Sequence, residues 1–171
     1  MSDWGRGYYG DPCRECGYSW SIEVDDAVRL IQAVPERYAA LIGEGDGSAR
    51  GAGLEWSSGA YVCHVADNLR IWAERLVGAA RGSSRPVAPY DADLLARARN
   101  YGAVPVEGAL WSVRLAAAAW EEAVELGATG RVVLAHPERC PQTVSDVVRN
   151  NAHDAYHHAW DIERITRTGN G

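Results

Sequence analysis

The chain has no lysine and no phenylalanine among its 171 residues, so all 17 of its basic residues are arginine. That pattern reads as codon bias in a GC-rich genome and points to a high-GC bacterial cytoplasm. No stretch concentrates positive charge, and the net charge is −6. A phosphate backbone needs clustered cations, so nucleic acid is excluded as a partner. No apolar run is long enough to cross a bilayer, so a membrane is excluded too. The opening MSDWGRGYYGDPCREC has no basic start followed by an apolar stretch, and does not read as a secretory signal. Only four cysteines occur, Cys13, Cys16, Cys63 and Cys140, and Cys13-x-x-Cys16 has no second C-x-x-C to complete it. Free thiols or metal ligands are expected rather than disulfides. What remains is a cytoplasmic protein acting on a small molecule, with a homodimer left open.

Against those absences stand an apolar content of 47% and seven tryptophans, enough for a sizeable core in one domain. Residues 1–20 are rich in Gly, Tyr and Trp and lack a helical period; they read as an irregular arm carrying the C-x-x-C pair. Residues 21–171 read as a helical domain. Glu23 to about Ile42 carries an apolar stripe with Pro35 inside it, which predicts a kink or break. A second helix starts near Ser57 or Ser58, with Val62, Val65, Leu69, Trp72 and Leu76 as its buried seam. Asp91 caps a short helix. A third long helix runs from about Val106 to Leu126 and stops at Gly127. GRVVLAHPERCPQ is extended and holds a short strand. The last helix opens on TVSD, a capping-box variant, and continues to about Thr166. Four long amphipathic helices predict an all-α four-helix bundle, and the long link between the second and third permits a crossover.

Three of the five histidines fall in NAHDAYHHAWDI. On a helix, i and i+4 project side by side, so His153 and His157 are placed to grip one metal ion. His158 is rotated about 100° away. HDAYH differs from the zincin H-E-x-x-H in its shorter Asp154 and in lacking a downstream ligand. A third ligand should come from upstream, and His64 is the best candidate. Three imidazoles leave positions open on a divalent ion, as catalysis requires.

WSSGAYVCHVADNLRIWAERL followed by NNAHDAYHHAWDI resembles the DinB-like superfamily, which includes mycothiol- and bacillithiol-dependent transferases. The likeness covers about residues 22–166. It implies a four-helix bundle in which one histidine of the second helix and a His-x-x-x-His pair of the last bind a divalent metal. Those positions match His64, His153 and His157. The family's His-His doublet matches His157–His158, though Ala159-Trp160-Asp161 stands where Arg-Gly-Gln is common.

The expectation is a zinc or nickel site that activates a low-molecular-weight thiol for transfer to a small electrophile. One alternative is a hydrolase in which the ion activates water and Asp154 serves as base. Another is a non-catalytic metal- or ligand-binding bundle. Arg149, one turn before His153, is the first candidate to hold a substrate carboxylate, with Arg70 and Arg75 behind it. Asp161 and Asp67 stand where they can orient imidazoles. Cys13 and Cys16 are candidate ligands at the main site or at one of their own, with Cys63, Cys140 or His136 as completions.

Overall fold

The computed structural model describes residues 4–82 and 86–168. Its helices are α1 (Trp4–Tyr9), α2 (Val24–Gln32), α3 (Val34–Ile42), α4 (Ser58–Ala80), α5 (Ala92–Ala98), α6 (Val106–Thr129) and α7 (Val144–Thr168). A hairpin of β1 (Val133–His136) and β2 (Cys140–Thr143) precedes α7. The molecule is a four-helix bundle: α2 and α3 act as one broken helix beside α4, α6 and α7. The break falls where Pro35 predicts it, because proline is tolerated only in the first turn of the second half.

Helix directions follow from which ends meet. A Cβ on Gly47 would lie 3.1 Å from Val106 and 3.2 Å from Gly59, so the first turns of α4 and α6 share one end of the bundle. A Cβ on Gly127 would lie 3.3 Å from both Leu76 and Val144, so the last turns of α4 and α6 share the other end with the start of α7. The two helices therefore run parallel, and the crossover through α5 is what parallel neighbours require. Tyr38 Oη donates to Ala155 O at 2.7 Å and Arg149 Nε to Ile22 O at 3.0 Å, so α2–α3 runs parallel to α7. Gly127 does not stop α6, which continues to Thr129. It is a packing glycine, present because Leu76 and Val144 leave no room for a side chain.

The predicted stripes are buried. Val62, Val65, Leu69, Trp72 and Leu76 of α4 meet Val113, Ala117 and Trp120 of α6 and Val148, Ala152, Ala155 and Ile162 of α7 in one core. Trp120 is fully buried, and its indole Nε1 donates to Asn151 at 2.9 Å, which satisfies both polar groups. The first half of α4 is buried all round, polar residues included, because the link to α6 covers the side that the core does not. The arm is more ordered than its composition predicts. It starts with α1 and then turns tightly, with Cys13 N–H donating to Tyr18 O at 2.8 Å and Tyr18 Oη to Arg149 O at 3.1 Å. None of the described helices is long and apolar enough to cross a membrane.

Candidate metal centre

The last helix carries two interleaved i,i+4 pairs: His153 with His157, and Asp154 with His158. Successive residues are rotated by about 100°, so the pairs face different neighbours. This corrects the three-histidine expectation. His64 of α4 meets Asp154 and His158, while His153 and His157 meet Cys13 and Cys16 of the arm. In each group the potential ligand atoms all lie within 4.8 Å of one another.

The first group is built between α4 and α7. His64 Nε2 lies 3.6 Å and His158 Nε2 3.7 Å from the same oxygen, Asp154 Oδ1. Those separations are long for hydrogen bonds. They suit ligands sharing a cation, since donors about 2.1 Å from a tetrahedral ion stand about 3.4 Å apart. Each donor is held from behind. Asp161 Oδ2 lies 3.0 Å from His158 Nδ1, which puts the proton on that nitrogen and leaves Nε2 as the donor. Asp154 Oδ2 accepts from Asn68 Nδ2 at 2.8 Å, and Asn68 Oδ1 accepts from Tyr90 Oη at 2.9 Å. Tyr61 stacks on the His158 ring at 4.9 Å, and Trp56 lies 4.9 Å from that of His64. Burial pushes the Asp154 carboxyl up, but His64, His158 and the Asn68 bond outweigh it and hold it well below the usual carboxylate range. It is an anion at neutral pH, so two imidazoles and a carboxylate form a donor set suited to a divalent transition metal.

Beside this group lies a cavity of about 220 Å³, lined by Asn68, Tyr90, His153 and Asp154 together with Arg75, His136, Glu138 and Arg139. Arg75 lies over the Trp72 ring at 4.6 Å. His136 Nδ1 accepts the Glu138 N–H at 3.2 Å, leaving the proton on Nε2. Burial, then Arg139 and Arg75, push the His136 pKa down, so the ring is neutral at pH 7.

The remaining expectations fall differently. Asp154 serves as a member of the donor group rather than as a base beside a histidine trio. Arg149 ties α7 to the residues just before α2 through Ile22 O and does not line the cavity. Asp67 holds no imidazole; it bonds Arg70, Arg99 and Tyr101. Neither Cys63, Cys140 nor His136 completes the Cys13–Cys16 pair. His158, set aside because it is out of phase with His153, belongs to the His64 group. The signal for it was present: Asp154 and His158 have the same spacing as His153 and His157, and a carboxylate is as good a ligand. Tyr90 and Arg139 had no legible signal, since they reach the cavity from loops.

No family model matches the chain, and no curated protein matches it in sequence. In structure it is similar to YfiT from Bacillus subtilis, described as "a probable metal-dependent hydrolase with an unusual four-helix bundle topology". The TM-score is 0.73 at 16% sequence identity, over 88% of this chain and 91% of that one. At that identity the likeness establishes a shared fold.

Proposed function

We propose that the protein is a metal-dependent hydrolase of small anionic substrates, with its divalent ion held by His64, Asp154 and His158. The observation that carries this reading is the convergence of two imidazole Nε2 atoms on Asp154 Oδ1 at the edge of a polar cavity that Arg75 and Arg139 help to line. The description of YfiT as a probable metal-dependent hydrolase supports it. A divalent ion there supplies Lewis acidity and lowers the pKa of a water. Three protein donors leave it positions open, unlike a closed structural site.

The chain's own residues do the rest. Arg75 and Arg139, which share the cavity with Glu138, are its two cations for a substrate carboxylate or phosphate once Asp154 is engaged by the ion. Neutral His136 keeps Nε2–H as a donor that adds no third charge. Tyr90 and Asn68 brace Asp154 and keep its second oxygen from turning toward the substrate. Asp161 fixes the His158 ring. No residue of the cavity speaks for a thiol cosubstrate, and water is the simpler nucleophile.

The test is hydrolysis of small chromogenic carboxylate and phosphate esters by metal-loaded protein. Turnover is expected to vanish with chelation, return with zinc or nickel, and fall to the stripped level in H64A, D154N and H158A. Turnover that needs an added low-molecular-weight thiol would overturn hydrolysis in favour of transfer. Full metal occupancy in both H64A and H158A would remove the site itself.

A further inference from the structure

A second cluster lies next to the first on α7, and its His153 reaches the same cavity, but none of its side chains is a ligand in the site proposed above. We propose that Cys13, Cys16, His153 and His157 form a closed tetrahedral zinc site that clasps the N-terminal arm to the last helix. The four side chains bring two sulfurs and two ring nitrogens within 4.8 Å of one another. Cys13 is 3% and His153 5% exposed. Among the described residues, His153 Nε2 and His157 Nδ1 are buried with no hydrogen-bond partner. Burying a polar atom without a partner is costly, so two within one cluster point to a ligand shared between them.

Local geometry prepares the site from both sides. In the arm, Gly17 N–H donates to Cys13 O at 2.9 Å, closing the Cys-x-x-Cys turn. Gly17 has φ +77°, a conformation that glycine adopts without the cost any other residue meets. On the helix, Glu15 Oε2 lies 3.2 Å from His157 Nε2. A carboxylate on that nitrogen leaves Nδ1 as the donor, as oriented metal-binding histidines require. Tyr9 and Trp20 pack on the His153 ring at 4.6 Å each, and Tyr18 at 5.3 Å. All four cysteines are free thiols, so no disulfide competes for the sulfurs.

The donor chemistry selects the ion and the role. Two thiolates with two imidazoles suit Zn²⁺ and disfavour magnesium or calcium, which take oxygen ligands. Four protein donors fill a tetrahedron, so this ion has no position for substrate. Its work is mechanical. It anchors the arm whose Tyr9 walls the cavity, and it fixes the helical turn that carries Asp154 and His158.

Metal content and cobalt spectra of the full chain test the proposal. The double substitution C13S/C16S is expected to lower bound zinc by one equivalent per chain, whereas H64A keeps that equivalent. Cobalt added to the metal-free wild type is expected to give a thiolate-to-cobalt charge-transfer band together with the strong visible bands of a tetrahedral site. H64A should keep the charge-transfer band, and C13S/C16S should lose it. The wild-type spectrum does not depend on any variant folding, and cobalt bound to folded wild type without a thiolate band overturns the site. Zinc content unchanged in C13S/C16S overturns it as well. Failure of the hydrolytic site reads differently: H64A and H158A would then match wild type in metal content while the cobalt–thiolate band persists.

Discussion

His153 and Asp154 are adjacent, yet one faces the arm and the other faces α4. The rotation of about 100° per residue gives them different donor partners, although both reach the cavity. Burial, then His157, lowers the His153 pKa to about 4, so that ring stays neutral and ready to donate to a metal. Asp154 is held as an anion by its imidazole neighbours. The residue that ties the His64 group together from behind is Asp161, which bonds His158 Nδ1 and also lies 3.5 Å from Arg164. Replacing it with alanine removes the partner that sets the His158 tautomer while leaving every proposed ligand in place. Metal affinity at the His64 group is expected to drop by about 10–100-fold, the usual effect of losing such a partner. Chelator competition measures this, and the cobalt–thiolate band of the arm site should not change. An unaltered affinity in D161A would show that His158 is oriented by packing against Tyr61 alone.

The start of α7 shows how an element is specified and what its sequence leaves undecided. Thr143 N–H donates to Asp146 Oδ2 at 2.9 Å, and Asp146 N–H donates back to Thr143 Oγ1 at 3.2 Å, the reciprocal bonding that TVSD predicts. T143A should destabilise the protein by about 1 kcal/mol and lower Tm by about 2–4 °C for a chain of this size. A thermal melt of the metal-loaded protein checks this. Caps, apolar stripes and the break at Pro35 were legible because each is local: period, hydroxyl or ring acts within a few residues. The bundle and its crossover were legible from helix count and link length. The pairing of donors was not. HDAYHH contains two equally good i,i+4 pairs, and only the positions of α4 and the arm, set by contacts more than 80 residues apart in sequence, decide which neighbour each pair meets. Gly127 was misread for a similar reason. Glycine after a helical stripe has two uses, stopping a helix and letting another approach, and the sequence of α6 alone does not distinguish them.

At the scale of the whole molecule, the bundle is cross-linked by buried phenols that must stay neutral. Tyr38 bonds Ala155 O across α3 and α7, Tyr18 bonds Arg149 O from the arm, and Tyr101 bonds Asp67 Oδ2 beneath the crossover. Burial raises all three above the ordinary value of 10.0, with the Asp67 bond adding to the rise at Tyr101. Each native pKa therefore lies above the unfolded one. The stability they carry is complete below about pH 10 and is lost as pH climbs from the unfolded value toward the native ones. Three such groups give a loss approaching about 4 kcal/mol per pH unit, which removes the whole margin of an ordinary domain within one to three units. Cys63, pushed up to about 11 by burial and then by Asp67, adds a step of the same sign that begins near pH 9. The absence of lysine sharpens the test, because no ammonium group titrates in this range and arginine titrates above it. Circular dichroism should stay flat from pH 8 to about 10 and then collapse cooperatively. Phenolate absorbance should report exposed residues such as Tyr8 before the collapse and the buried phenols only with it. Y38F, which keeps the ring and removes the titrating group, should make the alkaline limb shallower by about 1.4 kcal/mol per pH unit. Smooth ionisation of all eight tyrosines near pH 10 with the helical signal intact would mean that these phenols are not locked into the bundle, and the arm would lose one of its two anchors.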